Sequence, residues 1–541
     1  MRAHPFFALA AALSIAAVAA GCSSADGTSE PPPTPGGGPA SDGAAPDATT
    51  PSDAAAPDAS SALDDASDAD ARASEDGGTD GGGGNDGGRL DAGSADGGAD
   101  ANADASPDAG DDAGSSGPCA AMPIYAADGG TALPSRAWCD AFLYPTYTQS
   151  LQTTEVHVNA GFSGDGGVTL LGGIGESTMT YAITVAGTVL PGGSPFAIDL
   201  DSAGTAVSAY ALGAGTIPDA GPPTVLVWTG AVGTGGDLAL GGTGFSVTYP
   251  IDGAFWTYSA SGSAEAADFF ASPGAGEDAQ VGSIAAIAGG DFILAGTFTS
   301  GTIFGTTPLA TAGTYDTFVA RVAPGGQPRW ATAVGESSPG PNSPIDVVVD
   351  ADGHVSLVTM GIAADGGYEG LAARFDAITG AKQWVKSIVS DFPAAEAIAP
   401  EGDDLVVMIS NVNGYQAVGL NGADGSVRYQ GPTVGESTTF YGSQVNAMAS
   451  DGAGGTIVTG LTYGGSFGSI SIPSGTLPQC FLAGADASGN PTWVTLCSPL
   501  PYAMGLDLIV SGKTLVLTGA SGFSQVGGTQ LVTLAEEYTL P

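Results

Sequence analysis

Positive charge is scarce in this chain. Among 541 residues there are 11 Lys and Arg against 56 Asp and Glu, a formal charge of −45. A surface of that sign repels phosphates, which excludes nucleic acid as a partner; solubility or divalent-cation screening accounts for the acidity more simply. Histidine is rarer still, with His157 and His354 isolated in the sequence, and the 5 cysteines include no Cys-x-x-Cys, so a zinc site is not expected. Past the first twenty or so residues, Gly, Thr or Asp interrupts every apolar run well short of the roughly 20 residues that cross a bilayer. Sustained helical periodicity is missing as well, which leaves strands.

What is present begins at the N-terminus. Arg2 precedes an almost wholly apolar stretch from Pro5 to Ala20, followed by Gly21 and Cys22. Residues 1–21 therefore read as a secretory signal peptide, too short for a permanent span. The ending Val18-Ala19-Ala20-Gly21-Cys22 resembles the lipobox of bacterial lipoproteins. That resemblance implies cleavage before Cys22 and lipid on its thiol; an ordinary signal peptide with an incidental cysteine is the alternative. Two or three acyl chains, at about 0.8 kcal/mol per buried methylene, exceed what stable anchoring needs. Ser23 and Ser24 follow where inner-membrane lipoproteins carry Asp, so the resemblance implies the outer membrane, with the protein facing the periplasm or exposed at the surface.

From Ser23 to Pro118 the composition collapses to Asp, Ala, Gly, Ser and Pro, without an aromatic residue and with only Arg72 and Arg89 as cations. Such a segment cannot bury a core, so residues 22–118 are expected to form a disordered acidic tether. Its random-coil span is roughly 50–60 Å or more. Residues 119–541 form the folded domain.

With Cys22 assigned to lipid, Cys119, Cys139, Cys480 and Cys497 remain, an even number suited to two disulfides in an exported protein. Of three connectivities, the near-neighbour pairs are expected. Cys480 and Cys497 are equidistant from a turn centred between Ser488 and Gly489, so in an antiparallel hairpin they face each other at about 4.5–5.5 Å between Cα atoms.

The domain repeats internally. "DTFVARVAPGGQPRWATAVG" from Asp316, "EGLAARFDAITGAKQWVKSIV" from Glu369 and "QCFLAGADASGNPTWVTLCS" from Gln479 each show an apolar strand, a turn with Gly, and an aromatic four residues on. Gly326 leads to Trp330, Gly380 to Trp384, Gly425 to Tyr429 and Gly489 to Trp493, while weaker copies at Gly204 and Gly262 keep the turn without the aromatic. Another hairpin precedes each, as in "IDVVVDADGHVSLVTMG" from Ile345. The unit is thus four short strands in about 50 residues. Apolar residues at consecutive positions, as in Phe292 to Ala295 and Leu405 to Ile409, suit strands covered on both faces. Four-stranded units stacked face to face describe an all-β propeller. Six units carry the Gly turn and a seventh begins near Tyr502 without a fourth strand, which "WCDAFLYPTYTQS" from Trp138 could donate. Seven blades with a split closing blade are expected, six or eight being the alternatives.

Phrases such as "FVARVAPGGQPRWATAVG" and "IDVVVDADGHVSLV" resemble the SBBP repeats of bacterial surface proteins over about Ser283 to Ser498. The resemblance implies a seven-bladed propeller and no particular activity. "RFDAITGAKQWVKS" also resembles quinoprotein-type repeats, which implies that Gly and Trp dock neighbouring blades; Trp330, Trp384, Tyr429 and Trp493 are the expected blade-packing residues. The quinone-dependent members of that group use adjacent cysteines, which this chain lacks.

No catalytic residue is assigned. Asp350-Ala351-Asp352-Gly353 has the opening of a calcium loop without the remaining ligands of an EF-hand, so it reads as a hairpin turn, as does Asp424-Gly425. Calcium stays a candidate cation; no cofactor is expected. Gly-Glu-Ser recurs at Gly175, Gly335 and Gly435, the latter two read as inter-blade loops. The favoured expectation is a monomeric, noncatalytic binding or scaffold domain for a protein or carbohydrate ligand at the cell envelope. A propeller enzyme acting on carbohydrate, lyase or hydrolase, is the alternative, and a scaffold of envelope assembly a third; several acidic or His side chains converging on the channel with a bound metal would favour the enzyme, and a channel lined by Gly, Ala and Thr the scaffold.

Overall fold

The computed structural model describes residues 119–541 apart from 120–121, 128–132, 144–155, 164–165, 175–181, 192–193, 214–223, 247–248, 271–278, 339–344, 364–365, 391–393, 412–413, 435–442, 474, 476, 500–502 and 522–531. Residues 1–118, which hold the expected signal peptide, Cys22 and the expected tether, lie outside the described residues. No helix among the described residues is long and apolar enough to cross a membrane.

Seven four-stranded antiparallel sheets form a β-propeller. Blades 1 to 6 occupy 156–211, 224–270, 280–338, 345–390, 394–434 and 444–496; blade 7 occupies 504–539 together with Ser135–Leu143. In each, strands A to D run from the channel outward. The A strands are Val156–Phe162, Thr224–Val232, Gln280–Ala286, Ile345–Val349, Ala394–Glu401, Gln444–Ser450 and Met504–Ser511. Each packs against the next, and the last against the first, which closes the ring.

Face-to-face stacking explains the unalternating apolar runs. In Phe292–Thr299, the B strand of blade 3, all eight residues are buried, because both faces of the sheet meet another blade. The apolar core is divided accordingly into seven clusters, one per seam. Phe255 of blade 2 packs with Phe292 and Phe318 of blade 3, for example, and Val516 and Ala535 of blade 7 with Val158 and Ile198 of blade 1. Between strands B and C, blades 1, 3 and 6 carry a small extra hairpin, with Phe304 of the one in blade 3 stacked on Phe255 at 6.1 Å.

The closing blade is split as expected. Ser135–Leu143, starting three residues before Trp138, pairs antiparallel with Val532–Thr539 in the D position. A second N-terminal strand, Ile124–Ala126, was not legible in the sequence. It pairs with Pro491–Leu496 and adds a fifth strand to the rim of blade 6. One expectation is corrected: Gly335 does not lie in an inter-blade loop. It sits inside the D strand Pro328–Ser338, where a register shift opposite Asp316 and Phe318 uses its positive φ of 85° and its N–H bonds Asp316. Gly175 and Gly435 lie outside the described residues.

Candidate functional site at the channel wall

An A strand is the open edge of its sheet, so its channel-side amides need acceptors from elsewhere. Aligning the seven A strands on their pairing with strand B brings Asn159, Thr229, Ser283, Asp346, Ala397, Ala447 and Asp507 to one level. Three of these side chains accept a hydrogen bond from the amide that follows the same level in the next blade. Ser283 accepts from Val347 N at 3.2 Å, Asp346 from Ile398 N at 2.9 Å, and Asp507 from Ala160 N at 2.9 Å. Asp346 also accepts from Ser283 Oγ at 3.2 Å, and its other near partner is its neighbour Val347 N. Blade 6 connects differently: Asn446 donates to Gly505 O of blade 7 at 2.7 Å.

Burial sets the electrostatics of this wall. It pushes the Asp346 carboxyl up to about 7, helped by the nearby negative charge of Asp507 and opposed by the bonds from Ile398, Ser283 and Val347. Burial raises Asp507 too, against the bonds from Ala160 and Leu508. Glu396, two positions before Ile398, is pushed up to about 7 by burial; it accepts from Ser410 Oγ at 2.6 Å while its buried Oε2 has no hydrogen-bond partner among the described residues. Burial first, and the Glu396 charge second, raises the Tyr415 phenol well above its ordinary value.

Toward the rim, the seams are closed by aromatics on glycines. Trp330 of blade 3 covers Gly380 of blade 4, where a Cβ would meet ring carbon at 2.6 Å, and donates Nε1–H to Ala377 O at 3.1 Å. Trp384 repeats the arrangement on Gly425 of blade 5, donating to Gly422 O at 2.9 Å. Tyr429 edges against Gly489 of blade 6. Two docks were not foreseen. Tyr210 of blade 1 covers Gly262, although it lies six residues after Gly204 and not four; Trp138 on the closing strand covers Gly204 of blade 1. Between blades 2 and 3, Ala266 lies against Gly326, with the Phe255 ring behind it at 3.9 Å from the same Cβ position. Among the described residues Trp493 meets no such glycine in blade 7, whose C and D strands are not consecutive. Its ring lies over Gly484 of its own sheet and packs with Leu515, Tyr538 and Leu540.

Both disulfides join the near neighbours. Cys119–Cys139 spans 5.7 Å and Cys480–Cys497 5.2 Å between Cα atoms, the latter closing the C–D hairpin of blade 6 at the end away from its turn. The Asp350 run forms a turn. Asp350 accepts from Asp352 N and His354 N through Oδ1 and binds the buried Arg374 through Oδ2, and Arg374 also donates to His354 Nδ1 and to Asp403 O of blade 5. Asp424 likewise turns back on Ser426.

No family model matches the chain, and no curated protein does either. Among solved structures, the chain is similar to a Dos1 propeller, at 11% identity over 74% of this chain and 95% of that one, with a TM-score of 0.39. It is similar to the same degree, TM-score 0.39 at 9% identity, to the β-propeller domain of Cps50 (Swd1) from Myceliophteria thermophila, covering 73% of this chain and 100% of that one. A luciferin-regenerating enzyme matches at 15% identity and a TM-score of 0.33, over 56% and 87%.

Proposed function

We propose that the protein is an outer-membrane lipoprotein, held by lipid on Cys22, that presents a noncatalytic, monomeric propeller on an acidic tether as a binding or scaffold module for a protein or carbohydrate ligand. The observation that carries the noncatalytic part is the use of the channel acids: Asp346 and Asp507 are each bonded to a main-chain amide of the following blade. Carboxylates so engaged brace the ring and are poorly placed to exchange protons with a substrate. Display on the tether is supported by the point of entry, since Cys119 is bonded to the outermost strand of blade 7, at the rim and away from the channel. The likeness of the repeats to those of SBBP surface proteins supports it too.

Cys22→Ala tests the anchor: the protein should move from the membrane to the soluble fraction, and retention in the membrane would overturn the assignment. Protease shaving of intact cells then decides the face, since a surface-displayed propeller is released and a periplasmic one is spared. One observation favours the enzyme reading, namely Glu396, a buried carboxyl near neutrality with one oxygen unbonded among the described residues. Turnover of a polysaccharide that Glu396→Gln abolishes would replace the scaffold reading with that one.

A further inference from the structure

The segment 119–143 holds the seams on both sides of blade 7. Ile124–Ala126 lies on the rim of blade 6 beside Trp493, and Ser135–Leu143 completes blade 7 and sends Trp138 onto blade 1. The two strands differ greatly in hold. The first makes three residue pairs, from Ile124 with Thr495 to Ala126 with Trp493, extended by Ala127 N to Thr492 O and by Thr495 Oγ1 to Pro123 O. The second makes eight residue pairs with Val532–Thr539. It is further fixed by Arg136 on the buried Glu536 and by Trp138 Nε1 on Glu537 at 3.0 Å. The Cys119–Cys139 bond connects the start of the weak strand's segment directly to the middle of the strong strand, and Arg136 Nη2 donates to Cys119 O at 2.6 Å across the same junction.

We infer that the Cys119–Cys139 disulfide is the load path between tether and propeller. A pull on the N-terminal side passes from Cys119 through sulfur to Cys139 and leaves residues 120–138 slack. Without the bond the same pull reaches Ile124–Ala126 first and strips it from blade 6 pair by pair, before it reaches the start of the closing strand. The bond therefore makes a bound ligand on the propeller and an anchored tether mechanically continuous, and its reduction makes the added strand on the rim of blade 6 the first part to yield. The inference rests on reading residues 22–118 as a tether.

The test is single-molecule stretching of the purified full-length mature chain with Cys22→Ala, held by handles at its N-terminus and at Pro541. Oxidised, the propeller should unfold without an early event at low force. After dithiothreitol, a low-force step should appear first, releasing up to about 55 Å as the chain from Cys119 to the start of the closing strand at Ser135 straightens. Cys119→Ser with Cys139→Ser should show the step without reductant, while Cys480→Ala with Cys497→Ala should show it only after reduction. Should the first pair fail to fold, reduction of the tethered wild-type protein still decides. A trace unchanged by reduction, or one with the step already present when oxidised, overturns the load path. A compact tether would instead give extra length from residues 22–118 in both redox states, which tells a failure of the tether reading from a failure of the inference.

Discussion

Trp138 lies against Gly204, its indole occupying the space that a side chain on the glycine would fill. Gly204 has a φ of 79°, so any substitution also meets backbone strain. Because Trp138 belongs to the closing strand and Gly204 to blade 1, this contact is where the ring meets itself. Gly204→Val should lower stability by on the order of 2–4 kcal/mol, combining the left-handed conformation with overpacking. Gly353→Ala supplies the control, with a φ of 79° and nothing within reach of its Cβ. Equal losses in urea melts of the two variants would show that the indole contact contributes nothing.

The bond from Ala160 N to Asp507 predicts an asymmetry between two substitutions. Asp507→Asn keeps an acceptor for the amide, whereas Asp507→Ala leaves it buried and unpaired at a cost of about 1–3 kcal/mol. Chemical denaturation should rank wild type and Asn together and Ala well below. Indistinguishable Asn and Ala variants would remove the bracing role of the channel acids.

Stability should fall as pH rises from about 4 to 7. Asp346, Glu396 and Glu536 are each raised to about 7 by burial, so the folded protein holds protons that the unfolded chain has released above about 4. The stability these groups contribute is complete below the unfolded value and is lost as pH passes through 7, at up to about 1.4 kcal/mol per pH unit for each group. The lowered carboxyls of Asp376 and Asp424 act oppositely, losing their contribution below about 4, and being in exposed turns they matter little. The melting temperature should therefore peak near pH 4 and decline toward pH 7, and Glu396→Gln should flatten the decline. A melting temperature that rises between about pH 4 and 7 would contradict the burial of these acids.

The disulfides should reduce in sequence. Cys480 and Cys497 are buried, at 0% and 1% exposure, whereas Cys119 and Cys139 are partly accessible, so mild dithiothreitol on the native protein should open Cys119–Cys139 first. Loss of Cys480–Cys497 should cost on the order of 3 kcal/mol for its loop of 17 residues. Timed alkylation and peptide mapping read the order; simultaneous modification of all four cysteines would refute it.

The blades could be read because Gly380 and Trp384, or Gly489 and Trp493, recur at fixed spacing within long apolar runs, and that pattern survives divergence. Tyr210 escaped because it is displaced by two residues, and a strand of period two returns a side chain to the same face after two positions. A search at even spacings after each turn glycine would have found it. The bracing residues were hidden for another reason: Ser283, Asp346 and Asp507 each accept from a main-chain amide of the next blade, a bond that no residue type on the donor side marks. Alignment of "SIAAIAGG" and "DVVVDADG" at the turn nevertheless places Ser283 and Asp346 in one column, whereas the shorter turn of "DLIVSGK" offsets Asp507. Ile124–Ala126 is three residues long and carries no periodic signal at all.

The braces at the channel also bear on how such a ring diversifies. The Asp346 brace is specified by one blade, because blade 5 supplies only the Ile398 N–H, a group that every residue except proline possesses. A duplicated or exchanged copy thus arrives already able to receive its predecessor, whatever its side chains. The aromatic docks lack that freedom: Trp330 needs a glycine at 380 on the other side, so both halves must be inherited together. Channel braces permit shuffling of single copies, and rim docks preserve ancestral order.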